Sequence, residues 1–329
     1  MSAVETVHGP VEVDRLGPTL MHEHIFLLNP EYMQNYGRGS WWDEDARVDD
    51  AITRLRSLAG KGIKTIVDPT VLGLGRDIPR IQRVAAAVPE LNIVVATGIY
   101  TYHDVPFVYY MRGPGLLIDA DGVDPMVTDF VRDLTEGIAD TGVTAALLKC
   151  AVQEDMSPGV ARICRAVARA HRETGAPITT HTNAGKQLGR PTIELFRTEG
   201  VDLTKVVIGH SGDTVDLDYL LEIADSGAIL GMDRFGFPDP NLTTRVNTVA
   251  ALCRRGYADR IVLSHDAACF SDWLGPDALE INAHLLPDLR HDYIPTVVLP
   301  ALREAGVSET DITAMLVDNP HRYFTPASA

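Results

Sequence analysis

Short apolar, β-branched runs alternate along this chain with amphipathic stretches. The runs occupy residues 17–21, 63–67, 91–96, 143–148, 177–180, 206–208, 228–231 and 261–263. Each is nearly continuous in apolar content and bounded by polar or turn residues, the pattern of a strand covered on both faces. Residues 49–59, 159–173, 216–224, 241–255 and 294–305 carry apolar positions at helical spacing instead. Eight strands alternating with helices predict a parallel sheet. Eight favours closure into a (β/α)8 TIM barrel over an open doubly wound sheet. That open rival carries a glycine-rich phosphate loop after its first strand. The comparable stretch here, Gly73-Leu74-Gly75-Arg76-Asp77-Ile78, lacks the third glycine and follows the second strand, so it reads as a tight loop. Neither a linker nor a short-period repeat divides the chain, and residues 1–329 are expected to form a single barrel domain.

Composition narrows the function classes. Hydrophobic residues make up 45% and charged residues 22%, as in a globular protein. The formal net charge of −16 argues against a nucleic-acid binder, which needs a basic patch, and against docking on anionic lipid. Cys150, Cys164, Cys253 and Cys269 form no C-x-x-C pair and read as reduced core thiols. The polar N-terminus is not a signal peptide, and no apolar run approaches the roughly 20 residues that span a bilayer. A cytoplasmic protein is expected.

In a parallel barrel the active site lies at the C-terminal strand ends. His22 and His24 stand after the first strand, Lys149 after the fourth, His181 after the fifth, His210 after the sixth and Asp266 after the eighth. Side chains two apart on a strand share a face, so His22 and His24 point together to the barrel axis with Glu23 turned away. Imidazole suits zinc, cobalt, iron or manganese. A lone strand-end histidine is ordinarily a hydrogen-bonded loop residue. Four of them with an aspartate predict a metal centre. A lysine ending an apolar run is commonly a snorkelling surface residue. Beside two cations, however, burial and repulsion would keep the Lys149 amine neutral. It could then capture carbon dioxide as a carbamate, an anionic ligand able to bridge two metals.

The segments H-E-H (22–24), V-D-P-T-V-L-G-L-G-R-D (67–77), T-G-I-Y-T-Y (97–102), L-L-K (147–149), T-T-H-T (179–182), I-G-H-S-G-D (208–213), G-M-D-R-F-G (231–236) and L-S-H-D (263–266) together resemble the phosphotriesterase family of the amidohydrolase superfamily. More narrowly they resemble the phosphotriesterase-like lactonases, in order from about residue 16 to residue 324. The resemblance implies a (β/α)8 barrel with two divalent metal ions, zinc first and cobalt, iron or manganese as alternatives. His22, His24 and Asp266 would hold the more buried metal, His181 and His210 the more exposed one. Carboxylated Lys149 and a hydroxide would bridge them.

The same resemblance assigns Tyr100 to the metal site. It also assigns Arg234 a place where phosphotriesterases proper carry histidine, which fits the lactonase branch. The bland readings are a core aromatic for Tyr100 and an ion pair with Asp213 for Arg234. The stretch Cys269–Leu274 after the eighth strand would line an acyl-tail channel with Phe270, Trp273 and Leu274. The pair Trp41-Trp42 lies in a long loop after the first strand and reads either as a barrel cap or as a subunit contact. The expected activity is hydrolysis of lactones, N-acyl-homoserine lactones above all (quorum quenching), with organophosphate triester cleavage as a side activity. Asp266 would be the proton acceptor. The alternatives are a phosphotriesterase in its own right, another amidohydrolase acting on amides, and a barrel that binds without catalysis. The resemblance also implies a homodimer.

Overall fold

Alternation of side chains along each strand sorts the apolar residues into two cores. The computed structural model describes residues 2–37, 42–113, 122–273 and 284–326. A hairpin of β1 (Ala3–Thr6) and β2 (Gly9–Glu12) comes first. The barrel strands are β3 (Thr19–Leu20), β5 (Thr65–Asp68), β6 (Asn92–Gly98), β7 (Leu147–Val152), β8 (Ile178–Thr182), β9 (Val206–Gly209), β10 (Ile229–Met232) and β11 (Ile261–Leu263). All eight pair in parallel, in sequence order. Two further strands, β4 (His24–Leu27) and β12 (Ala268–Ser271), pair in parallel above the barrel.

Ile66, Ile93, Val95, Leu148, Ile208, Leu230 and Leu263 face outward and join the core under the helices. Val67, Val94, Ala96, Leu147, Val207, Ile229 and Val262 face inward and fill the barrel. Both sets are removed from water, which is why the strands read as continuous apolar runs. Leu16, Val13 and Tyr323 extend the inner core toward the N-terminal strand ends. There the Lys205 ammonium, at the start of β9, donates to the carbonyls of Arg322, Tyr323 and Thr325 and caps the last helix, Asn319–Phe324. Such a C-terminal cation satisfies carbonyls the helix leaves open.

The seam between β3 and β11 closes differently. Met21 N–H donates to Leu263 O at 3.3 Å, His22 N–H donates to Ser264 Oγ at 2.8 Å, and backbone bonds then resume with Asp266 N–H to His22 O at 3.0 Å and His24 N–H to Ala267 O at 2.7 Å. At the histidine triplet one backbone bond of the seam is thus replaced by a side chain.

All eight predicted strands are present. Several run further toward their C-terminal ends than apolar content indicated. The 143–148 run becomes Leu147–Val152 and the 177–180 run becomes Ile178–Thr182. Lys149 and His181 thus lie within strands, not after them, because the inward positions at this end are polar by function. The helices predicted at 159–173, 216–224 and 241–255 form as Pro158–Thr174, Leu217–Asp225 and Leu242–Arg254, capped by Ser157, Asp216 and Asn241. The helix predicted at 49–59 extends back to Glu44–Gly60 because Asp43 caps it. The stretch 294–305 divides into a π turn, Ile294–Val298, and a helix, Leu299–Glu304. Among the described residues, no helix is long and apolar enough to cross a membrane.

Gly98 ends β6 at φ +140°, and a Cβ there would lie 1.9 Å from the Lys149 carbonyl oxygen. Gly98→Ala must therefore part β6 from β7. We expect a loss of at least about 2 kcal/mol in denaturant unfolding.

Candidate metal centre

The inward positions at the C-terminal ends of the strands exchange apolar side chains for polar ones. Lys149 of β7 and His181 of β8 follow the same inward parity as Leu147 and Thr179. His210 comes directly after β9 at φ +60°, and Asp266 follows β11 at φ +56°. Such left-handed backbone is rare outside glycine and costs about 1–3 kcal/mol each, so both ligand candidates are held in place by their surroundings.

The predicted residues converge. Asp266 Oδ1 lies 3.4 Å from His22 Nε2 and 3.3 Å from His24 Nε2. Lys149 Nζ is 3.1 Å from His22 Nε2, and His181 Nδ1 is 2.8 Å from His210 Nε2. Lys149 is 1% exposed, which rules out the snorkelling alternative. His22, His24 and Asp266 form one group with ligand atoms close enough to share an ion; His22, His210 and Asp233 form another.

The far side of each ring decides what its near side can do. Asp233 accepts from His22 Nδ1 at 3.2 Å through Oδ2 and from His210 Nδ1 at 2.9 Å through Oδ1. His24 Nδ1 donates to Thr70 Oγ1 at 2.7 Å, because the Thr70 hydroxyl hydrogen is already given to Asp68 Oδ1. His181 Nε2 donates to Gln153 Oε1 at 2.6 Å. An imidazole carrying its hydrogen on the outer nitrogen presents a lone pair on the inner one. Four lone pairs and a carboxylate oxygen therefore meet in one buried space. His181 Nδ1 and His210 Nε2 face each other at 2.8 Å, where two lone pairs would repel and a shared proton or a shared cation relieves them. The donor set fits divalent metal ions of the borderline class.

Electrostatics agree. Burial, with Lys149 beside it, lowers His22 to about 4, and burial with His210 lowers His181, so these rings are neutral at pH 7. Burial lowers Lys149 to about 8. His24 is the exception: burial opposes its charge, but Asp266 and Asp68 outweigh it and raise its pKa. Burial pushes Asp233 up, yet His210 and His22 hold it well below the usual carboxylate range. Space for this carboxylate comes from Gly231, where a Cβ would lie 2.6 Å from Asp233 Oδ2.

A cavity of about 610 Å³ opens over the centre, touching His22, His24, Lys149, His181 and Asp266 but not the more deeply set His210. Tyr100, Tyr102, Arg234, Phe237, Phe270 and Trp273 line its upper part. Arg234 bridges two carboxylates, with Nε on Asp266 Oδ2 at 2.9 Å and Nη1 on Asp213 Oδ2 at 2.8 Å. The anticipated Asp213 ion pair is thus present, and the same side chain also grips Asp266. The Tyr100 hydroxyl meets that of Tyr102, and its ring stands edge-on to His181 at 5.2 Å. Phe270 is buried and Trp273 is half-exposed. Leu274 and Trp41 lie outside the described residues. Trp42 is buried against Phe26 and Phe270, under the Arg80 guanidinium at 4.8 Å, which settles it as a packing residue.

Sequence reasoning passed over Asp233, Thr70, Asp68 and Gln153. A signal existed for two of them. Asp68 ends a strand and Thr70 follows it two residues on, the spacing that shares a face in extended chain. Nothing in the sequence pairs Asp233 with two histidines from different strands, or Gln153 with His181.

A family model described as the phosphotriesterase family matches residues 2–324. The chain is 51% identical over 326 residues to the "Phosphotriesterase homology protein" of Mycobacterium tuberculosis, covering 98% of each chain. It is 36% identical over 318 residues to the "Aryldialkylphosphatase" of Saccharolobus solfataricus, covering 96% of this chain and 97% of the relative. The solved structure of the phosphotriesterase from Mycobacterium tuberculosis superposes with a TM-score of 0.93 at 51% identity, over 98% of both chains.

Asp233→Asn keeps the shape but replaces an acceptor oxygen with an amide donor against an N–H. We expect metal affinity to fall by about 10–100-fold, read by competition with a chelator. Lys149 has its own pH signature. Between its folded value of about 8 and the ordinary 10.5, the unfolded chain binds more protons. The metal-free protein therefore gains stability as pH rises through that window. Lys149→Met should flatten this rise in melting temperature.

Proposed function

We propose, from the premise that this chain belongs to the phosphotriesterase family, that it is a metal-dependent lactonase acting on N-acyl-homoserine lactones, with phosphotriester cleavage as a side activity. The observation that carries the lactone reading is the pairing of the Tyr100 hydroxyl and the Arg234 guanidinium with an apolar cavity wall directly above the donor set.

His22, His24 and Asp266 would hold one divalent ion and His181 and His210 the other, zinc being our choice. Such ions supply a nucleophile from water at neutral pH and polarise the carbonyl under attack. The lowered pKa of Lys149 supports its conversion to a bridging carbamate. The amine lone pair attacks the carbon of carbon dioxide and the nitrogen releases a proton to solvent.

The chain's own groups do the rest. Asp266 divides its labour between its oxygens. Oδ1 faces His22 and His24, while Oδ2 is turned to Arg234, where it can accept the proton released on attack. Arg234 cannot take that proton onward, since guanidinium stays charged. It fixes the carboxylate's orientation and keeps it ionised between turnovers. Burial pushes the Tyr100 phenol far above its ordinary pKa, with Tyr102 adding to the shift, so it remains an O–H donor throughout the working range. That donor suits the ring oxygen as the C–O bond breaks. The hydroxy acid product leaves through the mouth beside Trp273.

A second reading is phosphotriester hydrolysis as the main activity. The name of the 36% identical relative supports it, and the same donor set can serve attack at phosphorus. The deciding experiment is a panel of acyl-homoserine lactones, simple lactones and an aryl triester on metal-reconstituted protein. We expect kcat/KM to be highest for acylated lactones. A clear preference for the triester overturns the lactone reading. Tyr100→Phe should lower kcat/KM on lactones by about 10–100-fold and on triesters by much less, since an aryl oxide leaves without a proton donor. Equal losses on both remove Tyr100's assigned role.

A further inference from the structure

Behind the donor set, on the side away from the cavity, Glu23 is fully buried at the centre of a second network. Its carboxylate accepts from Ser264 Oγ at 2.7 Å, from His265 N–H at 2.8 Å, from His265 Nδ1 at 2.6 Å and from Ala267 N–H at 3.3 Å. Those residues bracket Asp266. The His265 ring is fully buried as well, and its other nitrogen is engaged: Ile294 N–H donates to Nε2 at 2.7 Å. A backbone amide can only donate, so Nε2 accepts and the ring hydrogen sits on Nδ1, facing Glu23. One planar ring thus takes a hydrogen bond from Ile294, 29 residues further along the chain, and gives one to Glu23, 242 residues before it.

The far segment matters to the cavity. Leu286, Pro287, Leu289 and Arg290 line it. This wall is braced internally by Leu289 N–H to Leu286 O at 3.0 Å, and Tyr293 N–H to Arg290 O at 3.1 Å ties its end to the residue before Ile294. His291 adds a weaker tie, from Nε2 to the His24 carbonyl at 3.2 Å. Asp292 pairs with Lys61 at 2.9 Å on the outside.

We propose that His265 is a positioning residue that sets the 286–290 wall of the cavity in register with the metal ligand Asp266, and thereby governs how well a long acyl tail seats. The substrate part rests on the lactone reading above; the register itself does not. His265 touches neither the cavity nor the donor set. It acts on the adjacent Asp266 through Glu23 and on the wall through Ile294, so the tail-binding surface and the reacting centre share one anchor. A displacement of about 1 Å in such a frame can cost up to about 100-fold.

Two measurements test this. The first is amide hydrogen exchange of the wild-type chain, which needs neither substrate nor variant. The Ile294 amide should exchange as slowly as the amides of the barrel strands, and exchange at loop rates overturns the proposal. The second compares His265→Asn with wild type. Asparagine can still donate to Glu23 but has no atom at the Nε2 position. Expected are faster exchange at Ile294, two metal ions per chain retained, and a KM for long-chain acyl lactones raised about tenfold with a smaller change for short lactones and in kcat. Metal loss with no chain-length dependence in KM would overturn the proposal, because it would confine His265 to support of the ligand loop. Failure of wild-type protein to open any lactone would defeat the functional reading, while exchange at Ile294 would still decide the register. A misfolded Asn variant leaves the wild-type exchange measurement as the arbiter.

Discussion

The site depends on which nitrogen of each histidine carries its hydrogen. A free imidazole takes either tautomer, and only one of them leaves the inward nitrogen able to bind a cation. Here the choice is made from behind. Asp233 takes the hydrogens of His22 and His210, Thr70 backed by Asp68 takes that of His24, and Gln153 takes that of His181. These acceptors are worth more in the barrel than in water because the local dielectric is low. They also raise the basicity of the rings they hold. Three of the four rings are anchored directly or through one hydroxyl to a carboxylate. His181 alone rests on a neutral amide, and that amide is half-buried at the mouth of the barrel.

This arrangement explains features of the fold that look like weaknesses. The barrel seam gives one backbone bond to a side chain at His22, and the chain adopts left-handed backbone at His210 and Asp266. Buried side chains complete the closure between the backbone bonds on either side. Ser264 receives the amide of His22, and Glu23 gathers the turn from Ser264 to Ala267. The strain at Asp266 is held by that carboxylate on one side and by Arg234 on the other.

Much of this was legible in the chain itself. Eight buried strands announce themselves because both of their faces are apolar, and the ligand set stands out because histidines recur at strand ends. The errors have one physical origin. Lys149 and His181 were placed after their strands because a polar residue looks like a boundary, yet an inward position at the catalytic end is polar within the strand. Glu23 was legible only as a residue pointing away from the site. That it organises Ser264, His265 and Ala267 depends on contacts across more than 240 positions, which no local pattern encodes. Asp233 was hidden for the same reason: its two histidine partners lie just after β9 and just after β3.

Nitrogen-15 spectra of the histidine side chains in zinc-loaded protein test the central claim most directly. The account predicts that His22, His24 and His210 carry their hydrogen on Nδ1 and bind through Nε2, and that His181 carries it on Nε2 and binds through Nδ1. A reversed tautomer at His22 or His210, the two rings that share Asp233, would contradict it.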